Sequence, residues 1–369
     1  MRTRIGTVAV CIALAGAVAF LAGFLGASNH DQVAWRAQSV DGGDAVLNDA
    51  VWGGGLYSAV GSGGAILTSP NGVDWTPRKS GSTDDLFDVA WNGHRFVAVG
   101  DGVILSSEHG GVWTYRSNAN SGGLTSVAWG AGTFIAVGSA PGRSDGLVMT
   151  SSDGILWTEV DVSAPEPSAI DFAGGYFFLS NGEALLRSSD GRSWQVVLGR
   201  SFSAIRAVTE ANGRYVAVGD DLACISGDGA EWRCQANEIG LSRDVIAARD
   251  RFFAASHAVY SSLDGLNWTL SLAEGPMRGL ASSSRGLVAV GDQGVIASGD
   301  VLPIFEDGFT SGDLVAWSDH EPHCSPTPTP TCCHPTPTPT CATPTPTPTC
   351  VTPTPTPTCD YPTPTPTPT

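Results

Sequence analysis

Positive charge is scarce in this chain, and lysine is almost absent. Of 19 basic residues, 18 are arginine and one, Lys79, is lysine, against 36 acidic residues and a formal net charge of −17. That balance argues against nucleic acid and anionic membrane surfaces as partners. The preference for arginine over lysine is read as compositional bias and not as an arginine-specific site. A helical period is missing too. After residue 30 no segment sustains apolar residues at 3.6 spacing, so almost no helix is expected. Cysteine is thin where it could matter. Of nine cysteines, six lie at or beyond residue 324 and one is Cys11. Only Cys224 and Cys234 remain for the body of the chain. There is no CxxC pair and no His-x-x-x-His spacing, so neither a metal site nor a cofactor is expected. The one long hydrophobic run is confined to the first 25 residues.

What is present is a repeat. A frame of Ser, any residue, then Asp, Asn or His, then Gly, two residues and Trp occurs six times: Ser69–Trp75, Ser107–Trp113, Ser151–Trp157, Ser188–Trp194, Ser226–Trp232 and Ser262–Trp268. A seventh copy is split between Ser298-Gly299-Asp300 and Val33-Ala34-Trp35. From Trp35 to Trp268 the steps are 40, 38, 44, 37, 38 and 36 residues, the period of a repeat architecture. The second unit displays the pattern. Leu86–Trp91, Arg95–Gly100, Val103–Ser107 and Trp113–Tyr115 are short apolar runs separated by Asn-Gly, Asp-Gly and His-Gly turns. Such punctuation predicts hairpins. Four antiparallel strands repeated about seven times predict an all-β fold, a β-propeller of seven blades over residues 28–301, with six or eight as alternatives. An open ring would leave two sheet edges exposed. The split copy supplies the closure: the strand around Val33–Arg36 is expected to pair with Val295–Ser298.

The Ser-Ser-Asp-Gly-x-x-Trp-Thr copies, such as Ser151–Thr158, resemble the Asp-box, or BNR, repeats of sialidase-superfamily propellers. The upstream Ala-Val-Gly strands resemble those repeats and photosystem-assembly-factor propellers. In the common Asp-box one more residue separates Asp from Trp than here. The resemblance implies that Asn71, His109, Asp153, Asp190, Asp228, Asp264 and Asp300 hold turns on the outer rim and take no part in catalysis. The residue types fit such a role. Carboxylate and hydroxyl accept turn amides, glycine tolerates positive φ, and tryptophan packs on the neighbouring sheet.

Function is sought where the repeat is broken, because the fold does not require those departures. Blade three carries the insertion Ser139–Asp145, which includes Arg143 and Asp145. Five blades end their second strand in Ala-Val-Gly, but blade four has Leu179-Ser180-Asn181 and blade six has Ala255-Ser256-His257. The turns after these strands are acidic, with Asp101, Asp145, Glu183, Asp220, Asp221 and Asp292. Candidate ligand-binding residues are therefore Arg143, Asp145, Asn181, His257, Asp220 and Asp221, and the partner is an unidentified protein or glycan. A sialidase-type hydrolase is the alternative. The resemblance would then demand three arginines on a substrate carboxylate, a Tyr–Glu pair and an acid. The Arg-Ile-Pro tripeptide that marks the first arginine is absent, and Arg78, Arg116, Arg143 and Arg200 in the loops match no such triad. No catalytic residue is assigned. Photosystem-assembly proteins carry a basic functional patch that the composition here does not suggest.

The two ends belong to other classes. Residues 1–27 place Arg2 and Arg4 before the apolar run Ile5–Leu25, with a cleavage point after Ala27. That is a secretory signal, or an uncleaved anchor given the run's length. Cys11 is not read as a lipid-attachment site, because Val10 is too large for that motif. Residues 302–324 form a connector, in which Phe305–Ser318 resembles a segment near the C-termini of many secreted bacterial proteins. Residues 325–369 are almost wholly Pro-Thr, with Cys332, Cys341, Cys350 and Cys359 nine apart. Such sequence forms polyproline II and reaches about 140 Å at roughly 3.1 Å per residue. It reads as a surface stalk, with a cysteine-crosslinked attachment as the alternative. A secreted or cell-surface location follows, with attachment to the envelope through tail or anchor. In that setting Cys224 and Cys234, each five residues from Gly229, are expected to form a disulfide.

Overall fold

The computed structural model describes residues 33–39, 45–116, 122–139, 146–161, 167–182, 184–199 and 204–301. They form seven antiparallel sheets arranged as blades. Blade one comprises Leu47–Gly53, Leu56–Gly61, Ile66–Ser69 and Thr76–Arg78. Blade two follows with Leu86–Trp91, Phe96–Gly100, Val103–Ser107 and Thr114–Tyr115, within a residue of the sequence reading. In blade five the second and third strands merge into Arg214–Ser226, which pairs first with Ile205–Ala211 and then with Arg233–Leu241. Among the described residues the only helical pieces are the 3-10 turns Ser62–Gly64 and Asp292–Gly294, and none could cross a membrane. The signal segment, connector and tail, with Arg143, Asp145, Glu183 and Arg200, lie outside the described residues.

Closure uses both ends of the ring. Val33–Ser39 pairs antiparallel with Val295–Val301, placing Trp35 opposite Gly299 and Gln38 opposite Ile296. The register runs three residues beyond the expected Ser298. The sheets pack face to face through seven apolar clusters, one per blade interface, and each cluster holds one tryptophan of the repeated frame. Trp113, for example, packs with Val60 and Ile66 of blade one and Phe96 of blade two. Trp35 fills the same place between blades six and seven, among Phe253, Leu280 and Leu287. The repeat in sequence is therefore a repeat of interfaces, because each tryptophan buries its ring against the preceding blade.

The turn after each third strand is held by its own side chains. Ser151 Oγ accepts from the Gly154 amide at 2.9 Å, and Asp153 Oδ1 accepts from the Ile155 and Leu156 amides at 2.8 and 3.0 Å. The same bonds recur at Ser69/Asn71, Ser188/Asp190, Ser226/Asp228 and Ser262/Asp264. Gly154 sits at φ +69°, and a Cβ there would come within 2.7 Å of Val97, so glycine is required twice over. Two positions expected to follow the pattern depart from it. At the second turn His109 replaces the carboxylate, and the buried Ser107 hydroxyl has no partner. Asp300 lies within a strand that continues into the closing pair, where it faces Ala34 and lies 3.5 Å from Arg36. A contrast follows. Ser151→Ala should cost about 1–3 kcal/mol, because it orphans the buried Gly154 amide. Ser107→Ala, which removes an unpartnered hydroxyl, should leave the melting temperature unchanged or raise it. Equal losses in the two variants, measured by thermal unfolding, would contradict this account.

Cys224 and Cys234 face each other across the hairpin and are joined at an S–S distance of 2.01 Å. A bridge closing so short a loop contributes about 2–3 kcal/mol by chain-entropy reasoning.

Candidate functional site

The first strands of all seven blades surround a central channel of about 640 Å³. Its mouth lies on the face made by the turns between second and third strands and by the blade-to-blade connections. Around that mouth stands one residue per blade: Asn48, Phe87, Thr125, Ser168, Arg206, Arg243 and Arg278. In five blades this residue is the extra one in a β-bulge, between Leu47 and Asp49, Leu86 and Asp88, Leu124 and Ser126, Ile205 and Ala207, and Met277 and Gly279. A bulge re-aims a side chain that regular pleating would point elsewhere. Here it turns Asn48, Phe87, Thr125, Arg206 and Arg278 toward the channel.

Three consecutive blades bring arginines to one side of the mouth, Arg206 and Arg278 from bulges and Arg243 from the residue before its strand. Arg206 grips Asp220 through Nε at 2.5 Å and through its second nitrogen at 3.1 Å. Arg278 bonds Asp292 through Nε and reaches Asn48 Oδ1 at 3.4 Å. Arg243, between them in blade order, makes no ion pair among the described residues. Burial and the like charges of Arg278 and Arg206 lower its pKa, against a partial offset from Asp292 and Asp220.

Below the mouth the channel wall is acidic, but its carboxylates are engaged. Asp49 Oδ2 accepts from the Val89 amide at 3.0 Å, Asp88 Oδ2 from Val127 at 2.7 Å, Asp171 Oδ2 from Val208 at 2.9 Å and Asp244 Oδ2 from Leu280 at 2.7 Å. Each bond latches one blade's inner strand to the next. Ser126 serves the same purpose toward Ile170 at 3.1 Å. Although half-buried along the channel, the acids lie deep within the ring. Burial first, and then the neighbouring Asp88, pushes Asp49 well above the usual carboxylate range. Burial, with Asp244 next, does the same to Asp171. Burial raises Asp244 to about 7. Among the described residues no three His, Cys, Asp or Glu side chains are grouped to hold a metal ion.

The sequence-predicted residues fall in several places. Asp220 stands at the mouth, but its charge is taken up by Arg206. Asp221 follows it, exposed, with φ +54°. His257 lies in the corresponding turn of blade six, its Nε2 2.6 Å from the Tyr260 hydroxyl and its Nδ1 3.4 Å from Ser256 Oγ. Asn181 accepts from the Ala184 amide at 2.8 Å in the turn of blade four. Of the loop arginines, Arg78 and Arg116 bond Thr68 and Ser106 on their own blades. The mouth arginines were missed because Arg206 and Arg278 sit on strands and Arg243 stands one residue before one, away from the turns that were searched. Their signal was an arginine at the start of the apolar first strand, or just before it, in three successive units.

No family model matches the chain, and no curated protein matches it. Solved structures do. YCF48 bound to D1 peptide aligns with a TM-score of 0.60 at 15% identity, over 75% of this chain and 97% of that one. Virginiamycin B lyase from Staphylococcus aureus gives 0.62 at 9% identity, over 73% and 100%. The WD40 β-propeller domain of Doa1 gives 0.59 at 10%, over 73% and 97%. The chain is a seven-bladed β-propeller. At such identities the likeness speaks for the fold alone, and these propellers include both a lyase and a peptide-bound protein.

Proposed function

We propose that this propeller is an exported binding module whose ligand sits at the mouth of the central channel, on the arginine side. The observation that carries the reading is the set Arg206, Arg243 and Arg278, turned inward from three neighbouring blades of a protein that is otherwise strongly acidic. A stable ring needs no arginine there, since Phe87, Thr125 and Ser168 occupy the same position in blades two to four. The hydrogen-bonded Ser–Asp turns fit repeats of the Asp-box type, and the N-terminal segment supports export. The hydrolase alternative draws on the same arginines. Against it, general acid–base work needs a carboxyl free to exchange protons with substrate. Asp49, Asp88, Asp171 and Asp244 instead each accept a backbone amide, and no tyrosine is among the residues lining the channel.

The test is a glycan and peptide binding screen on the full chain, with each hit repeated on Ser168→Trp. That change obstructs the mouth from blade four, next to the blade that carries Arg206. A ligand of the channel should lose at least tenfold in affinity. Hits that bind this variant as tightly as the parent would place the site elsewhere, with the turn at Asp220 and Asp221 the next surface to probe.

A further inference from the structure

The repeat explains why Arg243 stands without a counter-ion among the described residues. Arg206 and Asp220 are fourteen residues apart, and so are Arg278 and Asp292. Fourteen residues after Arg243 comes His257. In blades five and seven, the residue opening the turn after the second strand is the carboxylate that neutralises the mouth arginine. In blade six that place is taken by an imidazole, which is neutral or cationic and never an anion. Its ring is also turned to its own loop, with Nε2 on Tyr260 and Nδ1 toward Ser256. Blade six has therefore kept the arginine and lost its partner.

The charge balance at the mouth is then simple. Three guanidinium groups face two carboxylates, Asp220 and Asp292, and one positive charge is left on Arg243. A second negative charge on a ligand would find no matching cation, and below it would meet the channel wall with Asp49, Asp88, Asp171 and Asp244. We propose that Arg243 is the receptor for a singly charged oxyanion group, such as a sulfonate, sulfate ester or carboxylate, on a ligand entering the channel mouth. Arg206 and Arg278 flank that group while remaining tied to their own carboxylates. The proposal rests on the reading of the mouth as the ligand site and names the charge class of what binds there. Guanidinium suits this task because its planar fork meets two oxygens of one anion.

The probes are benzenesulfonate, a monoanion at all working pH, and phenyl phosphate, a dianion at pH 8 that becomes a monoanion below its second pKa near 6. Affinities come from ligand-observed NMR titration of the full chain. Benzenesulfonate should bind saturably to the parent, and Arg243→Gln should weaken it at least tenfold. His257→Asp restores the carboxylate that blades five and seven carry, so it should bind at least tenfold more weakly than His257→Asn, with both variants folded by circular dichroism. At pH 8 phenyl phosphate should bind several-fold more weakly than benzenesulfonate, and at pH 5 the gap should close.

Equal affinities of His257→Asp and His257→Asn would overturn the assignment to Arg243. Tighter binding of phenyl phosphate at pH 8 would overturn the charge class. Absence of saturable binding of both probes to the parent would also overturn the inference. The wider reading would survive any of these results if a screened ligand lost affinity in Ser168→Trp, and would fail separately if none did.

Discussion

Deleting residues 28–40 should open the ring and lower the melting temperature by more than about 10 °C, on the scale of 2–4 °C per kcal/mol for a domain of this size. The strand it removes is small, but it is bonded in three directions. It supplies the outer strand of blade seven through pairing from Val33–Val301 to Ser39–Val295. Trp35 packs into the cluster between blades six and seven and donates from Nε1 to Ser271 Oγ of blade six at 2.8 Å. Gln38 donates to the Gly72 carbonyl of blade one at 3.2 Å. Its loss therefore loosens the seam where the last blade meets the first and bares the edge of Val295–Val301. A bared edge invites pairing between molecules. The truncated protein should thus associate as well as melt early, and sedimentation velocity would detect it. Trp35→Ala alone should cost about 2–4 kcal/mol, since it empties one of seven equivalent interface positions without breaking the strand pairing. A truncated protein that melts with the parent would mean that the other six interfaces hold the ring closed without this strand.

The split repeat made that closure legible in the sequence, because a motif divided between two ends has one economical arrangement. The blade count, the hairpins and the near-absence of helix were legible for a related reason. Seven tryptophans in one frame mark seven interfaces, and turn glycines such as Gly154 mark where strands stop. The mouth of the channel was much less legible. Arg206 and Arg278 lie inside strands and Arg243 just before one, where a charged residue reads as solvated or incidental, and the excess of arginine over lysine reads as composition. What gives Arg206 and Arg278 meaning is the bulge that turns them inward, and a bulge is a matter of register that alternation alone does not reveal. His257 stood out in sequence as a broken Ala-Val-Gly, but for the wrong reason. It matters as the missing partner of a residue fourteen positions earlier, a relation visible only once Asp220 and Asp292 are seen on Arg206 and Arg278. The acidic turns were likewise read as a negative face, whereas two of their carboxylates are consumed by those arginines.

The inner acids set the response of the fold to pH. Asp244→Asn should stabilise the protein at pH 8 by about 2–6 °C, on the scale of 2–4 °C per kcal/mol, and should make little difference at pH 5. The asparagine keeps an oxygen to accept from the Leu280 amide but cannot ionise. Burial holds the Asp244 carboxyl protonated up to about pH 7, whereas the same group in an unfolded chain ionises near 3.9. Between those two values the folded chain binds a proton that the unfolded chain has released, so stability falls as pH rises through the window and levels off above it. Asp49 and Asp171 are raised by the same burial and pull in the same direction. The turn aspartates act oppositely and at lower pH. The amides of Ser193 and Arg192 hold Asp190 at about 2, and those of Glu231 and Ala230 hold Asp228 at about 2. The stability they add is present above about 3.9 and is lost as pH falls toward 2. Together the two sets place the stability maximum at roughly pH 4–5, between the range where turn carboxylates ionise and the range where inner ones are forced to. Asp244→Ala separates the latch from the charge. It removes the acceptor altogether, orphans the Leu280 amide, and should be about 1–3 kcal/mol less stable than Asp244→Asn at both pH values. Melting curves of the parent and the two variants from pH 3 to 9 decide the matter. If Asp244→Asn melted below the parent at pH 8, the carboxylate would be stabilising in its charged form, and the inner ring would be a set of ionised latches instead of protonated ones.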